Sequence, residues 1–294
     1  MPMKPRSLMF TLFGDFIQYY GGEIWIGSLI RLMNDFGISE SSVRGATLRM
    51  MQQNFFQVRK IGNKSYYSLT PKGKRNQEEG VRRVYTIKNH KWDGFWRVLI
   101  YSMPEEMRDL RNQVRKELSW LGFGMVSGST WLSPNPLEKQ VMNMLENYNL
   151  KGYAMLFTSS SILSHEPHEI IARGWNLERI QQQYSQFIAN LRPKFEVLRE
   201  KAWNNELSDQ EAFIERTKLV HEYRKFLFDD PGFPQDLLPD NWNGNEARDL
   251  FWHTHQLLAS QSVRYFESIF EAAPDRKVEA RRLSAINPFT EWNA

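Results

Sequence analysis

The apolar residues in the first third of the chain recur at helical spacing and then at strand spacing. Helical spacing predicts a support helix over residues 7–20, which the pair Gly21-Gly22 ends. After a short extended segment, a second helical stretch over 28–36 ends at Gly37. A helix that ends in a glycine turn is typical of the first half of a helix-turn-helix, so residues 28–36 are predicted to be its first helix.

A third helix is predicted to start after Ser39, because serine is a good N-cap and Ile38 can pack against Val43. At 100° per residue, its inner stripe is Val43, Ala46, Thr47 and Met50. The wheel places Leu48 outside, where it would either meet a thymine methyl group or cover the following hairpin. The rest of the outer side is polar, small or basic, which suits a surface that contacts nucleic acid.

Strand spacing follows, with Tyr66 and Leu69 alternating with polar residues. Between the two strands, Gly62-Asn63 is a pair that a two-residue hairpin loop prefers. Three basic residues crowd this tip, namely Arg59, Lys60 and Lys64. Helix, turn, helix and hairpin predict a winged helix-turn-helix, which places one helix in the DNA major groove and its hairpin against the backbone.

Thr70-Pro71 caps another helix, whose charged run over 72–83 leads to a domain boundary near residue 91. The pattern then predicts strand, helix, two strands, helix and strand, in the ranges 95–101, 105–121, 125–126, 130–132, 137–148 and 153–157. This βαββαβ order is that of a ferredoxin-like fold, an antiparallel sheet with two helices on one face.

Beyond residue 165 the pattern is mostly helical, with candidate helices over 177–203, 208–228 and 246–270 and a proline-rich break over 229–239. Long helices at this place either form a dimer surface or cover a neighbouring domain, and the sequence leaves both open. The predicted fold is therefore α+β and multidomain. Its predicted domains are a winged head over 1–91, a ferredoxin-like domain over 92–164 and a helical domain over 165–294 that dimerises or senses a ligand.

Charge is divided unevenly along the chain. Residues 1–91 hold 15 Lys+Arg against 6 Asp+Glu, whereas the remainder holds 23 against 28, so a net charge of +4 conceals a basic head. A basic module joined to an acidic remainder indicates that the head meets phosphate. The alternative is a solvated basic face that contacts protein, as in an adaptor.

The predicted DNA contacts lie on the third helix and the hairpin, as base-reading and backbone-holding groups. They are Ser39, Ser41, Ser42, Arg44, Gly45, Arg49, Gln52, Arg59, Lys60, Asn63 and Lys64. Because the partner is double-stranded DNA and no signal peptide or 18-residue apolar run is evident, we expect a cytoplasmic protein without a membrane segment.

Residues that would support an enzyme are scarce. The chain has no cysteine, which excludes disulfides, thiol nucleophiles and cysteine-ligated metals. His165 with His168, and His253 with His255, lack zincin spacing, so we expect neither pair to hold a metal. A metal-dependent nucleic-acid-processing enzyme on the ferredoxin-like domain is the alternative function, but Tyr101 and its neighbours stand where a metal-binding carboxylate would be expected.

Several motifs together resemble the PaaX family, the repressors of bacterial phenylacetic acid catabolism. They are Val43-Arg44 through Arg49, the wing 61–70, Trp92-Asp-Gly-Phe-Trp-Arg97 with Pro104-Glu105, Leu121-Gly-Phe123, Trp131-Leu-Ser-Pro134 and the segment Asp230 to Trp242. They occur in the right order with close spacing over nearly the whole chain. The resemblance implies a middle domain of the Cas2-like kind and a dimeric, non-enzymatic repressor.

The family resemblance also implies an effector, phenylacetyl-coenzyme A or a related aryl thioester, which releases the repressor from its operator. No other cofactor is expected. Such a ligand needs cations for its phosphates and an apolar pocket for its aryl end. The middle domain supplies candidates in Arg97, Arg108, Arg111, Arg115 and Trp131, although a solvated helix face and ordinary core aromatics explain them as well.

Overall fold

A computed structural model of the chain describes residues 3–87, 91–275 and 281–291. The N-terminal elements are α1 (Pro5–Asp15), a 3₁₀ turn (Ile17–Tyr20), β1 (Glu23–Trp25), α2 (Ile26–Asn34), α3 (Glu40–Gln52), β2 (Phe56–Ile61), β3 (Lys64–Leu69), α4 (Pro71–Tyr85) and β4 (Thr86–Ile87). The strands β1, β3 and β2 lie in that order in an antiparallel sheet. Thr70 caps α4 by accepting a hydrogen bond from Gly73 N at 3.1 Å, as the sequence predicts.

The middle elements are β5 (Trp96–Tyr101), a 3₁₀ turn (Glu105–Met107), α5 (Arg108–Leu121), β6 (Gly124–Ser127), β7 (Thr130–Ser133), α6 (Glu138–Asn147) and β8 (Ala154–Ser159). Their βαββαβ order is confirmed. The sheet has the order β6-β7-β5-β8 with antiparallel neighbours, which is the ferredoxin-like arrangement.

The C-terminal part is helical. Its elements are α7 (Pro167–Gly174), α8 (Leu177–Trp203), α9 (Asp209–Tyr223), 3₁₀ turns at Arg224–Phe228 and Gln235–Leu237, α10 (Gly244–Ile269), α11 (Arg282–Ile286) and β9 (Thr290–Glu291). The long helices match the predicted ranges closely, whereas α7 was not predicted. None of the described helices combines the length and the apolar character that crossing a membrane requires.

The described residues pack into two compact units. The first draws on the segments Met1–Thr86, Ile188–Arg224 and Arg248–Thr290, and the second on Ile87–Phe187, Lys225–Ala247 and Glu291–Ala294. Packing thus groups the predicted head with helices from the predicted C-terminal domain. The three consecutive domains stay a prediction, because packing units and functional domains need not share their boundaries.

The largest hydrophobic cluster among the described residues lies in the first unit. Phe16, just after α1, packs against Phe213 of α9 at 5.1 Å and stacks on Phe266 of α10 at 5.2 Å between ring centroids. All three rings are buried, together with Val43 and Met50 of α3. The helix that carries the candidate DNA contacts is therefore supported by a core to which both ends of the chain contribute.

A polar cluster lies inside this core. Asp15 and Arg216 are both fully buried and form a bidentate ion pair, with Nη2–Oδ1 at 2.7 Å and Nε–Oδ2 at 2.9 Å. Tyr85 OH donates to Asp15 at 2.6 Å, and Arg216 also donates to the carbonyl of Ala285 at 2.7 Å. Burial raises the pKa of Asp15, but the charge and hydrogen bonds of Arg216, together with the neighbouring His255, outweigh burial and hold that pKa well below its usual range.

His255 borders this cluster and is also fully buried. Burial and the charge of Arg216 lower the pKa of His255 to about 4, so the ring is neutral at pH 7. A neutral ring adjoining the ion pair adds no second buried positive charge.

In the second unit, α5 and α6 cover one face of the sheet. Their shared core contains Leu99, Val114, Leu118, Val141 and Met144, all almost fully buried. A loop is fixed by Asp230, which accepts hydrogen bonds from Tyr184 OH and Gly232 N, each at 2.6 Å. This loop is part of the proline-rich break, so that motif has a structural role within the unit.

Candidate nucleic-acid interface

Helix α3 begins where the sequence predicts. Ser39 Oγ accepts a hydrogen bond from Ser42 N at 3.3 Å and lies 3.1 Å from Ser41 Oγ. Ser42 Oγ is a further neighbour at 3.0 Å. The N-cap prediction is confirmed, and the three hydroxyl groups form an exposed cluster at the N-terminus of the helix.

The two faces of α3 also follow the helical wheel. The inner stripe is buried, namely Val43, Ala46, Thr47 and Met50. On the outer side, Arg44, Arg49 and Gln52 are exposed, and Gly45 is half-buried. Leu48 is 55% exposed, as the wheel predicts, so its side chain adds an apolar position to an otherwise polar face.

The two arginines of α3 differ in their partners. Arg44 forms an ion pair with Glu40 one turn earlier, with Nη2–Oε1 at 2.7 Å. Arg49 has no carboxylate partner within the described ranges. A Cβ at Gly45 would lie only 3.4 Å from Nη1 of Arg49, so the guanidinium lies along the outer face over the small glycine.

The hairpin turn is formed by the two residues that the sequence predicts. Ile61 pairs with Lys64, which leaves Gly62 and Asn63 as a two-residue loop. Gly62 has φ of 57°, the positive value that a type II′ turn requires at its first position. Glycine is needed here because other residues adopt this conformation at a cost. Asn63 is exposed at the tip.

Two of the three basic residues of the hairpin are bound to carboxylates. Arg59 pairs with Glu23 of β1 at 2.6 Å and also with Asp275. Lys64 pairs with Glu271, and its ammonium lies 4.5 Å from the ring centroid of Trp25. The sequence predicted that these cations would be available at the tip, and it missed their acidic partners. Glu271 and Asp275 are more than 200 positions away along the chain, so no local signal pointed to them.

Lys60 is the exception in the hairpin. It is exposed, and no carboxylate in the described residues pairs with it. The hairpin therefore presents one available cation, whereas the sequence suggested three.

The candidate effector residues do not form a common site. Arg97 is buried, and its guanidinium is hydrogen-bonded to Glu138 at 2.6 Å, to Asp93 at 2.8 Å and to the carbonyl of Phe95 at 2.9 Å. Trp131 is 3% exposed and belongs to the core beneath α5 and α6. Trp131 is thus a core aromatic, which is the alternative that the sequence left open, whereas Arg97 belongs to a buried ion-pair network that the sequence did not predict.

The arginines of α5 share one helical face but contact different groups. Arg111 pairs with Glu105 at 2.9 Å, and Arg108 lies 3.9 Å from the same residue. Arg115 donates to Tyr101 OH at 3.0 Å and to the carbonyl of Gly128 at 2.9 Å. Arg108 is the most exposed of the three.

Metal-binding geometry is not found in the part of the chain that the structure describes, where no three His, Asp or Glu side chains gather around a common point. His255 is buried in the polar cluster, whereas His253 is exposed and contacts the carbonyl of Asp249 at 2.7 Å.

β5 ends at Tyr101, and Ser102 and Met103 follow it. The end of this strand offers no carboxylate for a catalytic ion.

Three family models match consecutive parts of the chain. Residues 4–73 match the PaaX-like protein model, 89–171 match the PaaX protein central Cas2-like domain, and 175–268 match the PaaX-like protein C-terminal domain. The chain is also 32% identical over 268 residues to the transcriptional repressor PaaX of Escherichia coli (strain K12), covering 90% of this chain and 84% of that protein.

Among solved structures, the chain resembles an uncharacterized protein from Mycobacterium tuberculosis. The TM-score is 0.49 at 20% identity, and the match covers 82% of this chain and 89% of that one.

Proposed function

This chain belongs to the PaaX family, and we propose that it is a transcriptional repressor that binds operator DNA through α3 and the β2–β3 hairpin. It is a regulator rather than an enzyme. The observation that carries the proposal is the outer face of α3, which exposes Arg49 and Gln52 towards its C-terminal end and a cluster of serine hydroxyls at its N-terminus. Exposed donors on one face of a helix are the groups that read base edges in the major groove.

In the proposed complex, α2 and α3 are the two helices of a winged helix-turn-helix and the hairpin is its wing. Arg44, Gly45, Arg49 and Gln52 face the groove. Ser39, Ser41 and Ser42 donate to phosphates or base edges at the N-terminus of α3, where backbone N–H groups also favour an anion. Lys60 and Asn63 meet the DNA backbone directly, whereas Arg59 and Lys64 do so only after leaving their carboxylates.

The proposed targets are genes of phenylacetic acid catabolism, and the proposed effector is an aryl-coenzyme A thioester such as phenylacetyl-coenzyme A. By linkage, an effector that binds the free protein more tightly than the DNA-bound protein must weaken DNA binding by the same factor. Arg108, Arg111 and Arg115 remain the proposed contacts for its phosphates. Arg97 and Trp131 are omitted because their side chains are buried and hold the second unit together.

We further propose that the repressor acts in the cytoplasm as a homodimer. Two copies would read two half-sites related by a twofold axis, and their separation would fix the half-site spacing. The domains at 1–91, 92–164 and 165–294 are the corresponding proposed DNA-binding, central, and dimerisation or ligand-sensing regions.

The proposal is tested by titrating the protein into fluorescent duplexes from upstream of its own gene and the adjacent catabolic genes at fixed salt. We expect nanomolar binding that phenylacetyl-coenzyme A abolishes and free phenylacetate does not. Binding that ignores the thioester would retain the repressor and discard this effector. Absence of specific binding to every upstream duplex would overturn the repressor function, and cleavage of the DNA with magnesium or manganese would replace it with an enzyme.

A further inference from the structure

We propose that Arg6 and Lys72 form a second contact with DNA, a two-cation site for backbone phosphate at the C-terminal end of α3. The inference rests on the proposed function, since it assumes that α3 meets DNA. The two residues lie at the starts of α1 and α4, well separated in sequence, and neither belongs to the predicted contact set.

Phe55 brings the two cations together. The Arg6 guanidinium lies 4.8 Å from the centroid of the Phe55 ring, and the Lys72 ammonium lies 4.7 Å from the same centroid. Two positively charged side chains therefore contact the same aromatic ring. Each gains from the quadrupole of the ring, but the two cations repel each other.

The ring itself is firmly placed. Asn54 has φ of 57° and ends α3 in the left-handed conformation, which lets Phe55 N donate to Met50 O at 2.8 Å. The Phe55 and Phe10 rings pack in a T-shaped arrangement with their centroids 5.7 Å apart. The chain therefore turns back on the end of α3 and fixes Phe55 there.

The first turn of α4 is held against this position. Lys72 Nζ donates to the carbonyl of Gln53 at 3.2 Å, and Thr70 Oγ1 donates to the carbonyl of Asn54 at 2.7 Å. A Cβ at Gly73 would lie 2.4 Å from the carbonyl oxygen of Phe55, so only glycine allows this approach. Lys72 is consequently positioned beside α3 by several independent contacts rather than extending freely into solvent.

The described residues supply no carboxylate for these cations. Residues 3–75 contain 11 Lys and Arg but only four Asp and Glu. Each of the four acids is engaged elsewhere: Asp15 with Arg216, Glu23 with Arg59, Asp35 with Gln210 and Tyr265, and Glu40 with Arg44. No carboxylate of the described residues pairs with Arg6 or Lys72, and both side chains are exposed.

A phosphate fits this arrangement by charge and by position. It would offset the two positive charges, which no carboxylate of the described residues neutralises. The site adjoins Gln52 and Gln53 at the end of the proposed reading helix, so it is continuous with the proposed interface. Backbone phosphate is also the partner for which a sequence-independent cation pair is suited, because it carries the same charge at every step.

The test compares wild-type protein with Arg6→Gln, Lys72→Gln and the double variant, by fluorescence anisotropy over a range of salt concentrations. One operator duplex and one random duplex serve as probes. Because both cations are proposed to bind one phosphate, the double variant should reduce the slope of log K against log salt by about 0.9, and each single variant should reduce it by less. Affinity for both duplexes should fall by the same factor, which leaves the preference for operator unchanged.

Lys194→Gln is the matched control, since it removes one exposed charge of the first unit that pairs with no carboxylate of the described residues. It should leave the slope unchanged. Phe55→Leu keeps both cations but removes the ring, and it should give an intermediate loss if circular dichroism shows an intact fold. Wild-type slopes in the Arg6 and Lys72 variants would overturn this inference while leaving the repressor intact. Failure of the wild-type protein to bind any duplex would instead overturn the proposed function.

Discussion

Helix α3 and the β2–β3 hairpin both carry basic residues, but the two elements differ in what their cations contact. On α3, Arg49 has no carboxylate partner in the described structure and lies over Gly45 on the outer face. In the hairpin, Arg59 and Lys64 are bound by Glu23, Glu271 and Asp275. Charge counts alone would rank the hairpin as the stronger phosphate-binding element, whereas the ion pairs show that most of its charge is neutralised.

The comparison implies that specific binding depends most on α3. Arg49→Ala should weaken operator binding by about 1 to 3 kcal/mol if its guanidinium makes a bidentate contact with a base. Affinity for random DNA should change much less. The measurement is a competition titration of the variant with operator and random duplexes, and an unchanged ratio between the two affinities would remove Arg49 from sequence readout.

Removing the acidic partners of the hairpin cations should have the opposite effect and strengthen DNA binding. Glu271→Gln with Asp275→Asn leaves Lys64 and one side of Arg59 without a competing carboxylate, so DNA should bind several-fold more tightly and with a steeper salt dependence. Asp209→Asn is the control, because it breaks an exposed ion pair with Arg264 in the same unit. Weaker DNA binding by the double variant would mean that these carboxylates position the hairpin for DNA rather than compete with it.

Within the hairpin, Lys60 and Lys64 should differ. Lys60→Gln should reduce the salt slope by about 0.9, because an available cation loses one phosphate contact. Lys64→Gln should reduce the salt slope by less than this in the wild-type background, and by the full amount in the Glu271→Gln background. Equal effects of Lys64→Gln in both backgrounds would show that its ion pair does not limit DNA binding.

The smallest expected effect concerns the paired arginine of α3. Glu40→Gln removes an exposed i,i+4 partner of Arg44, and such pairs stabilise a helix by about 0.3 to 0.5 kcal/mol. Thermal unfolding should therefore change little, while the freed Arg44 should raise non-specific DNA affinity slightly. A loss of stability above 1 kcal/mol would indicate that Glu40 also supports the N-terminus of the helix.

Local features were predictable from sequence because short-range rules determine them. Ser39 caps α3, four inner residues of that helix are buried, and Gly62-Asn63 forms the hairpin loop. The βαββαβ order followed from periodicity in the same way. Helix α7 was missed although it has a capping box between Glu166 and Glu169, because it spans only eight residues and gives a weak periodic signal.

Features that join distant segments were not predictable from one sequence. The pairing of Lys64 with Glu271, and the stacking of Phe16 on Phe266, depend on the tertiary fold rather than on local spacing. Arg97 of β5 pairs with Asp93, which precedes the strand, and with Glu138 at the start of α6, so a residue that resembled a ligand contact is part of the structure of the second unit. Which acid neutralises which base decides how a basic surface behaves, and that assignment requires the fold.

The buried ion pair between Asp15 and Arg216 has a consequence for synthesis of the protein on the ribosome. The two residues are separated by 201 positions, and Arg216 also needs the carbonyl of Ala285. A nascent chain that has emerged only as far as α4 carries an uncompensated Asp15 and lacks Phe213 and Phe266. Translation must deliver α10 before the core beneath α3 is complete. Incomplete chains would therefore contain the proposed reading helix with only part of the core that supports it in the finished polypeptide.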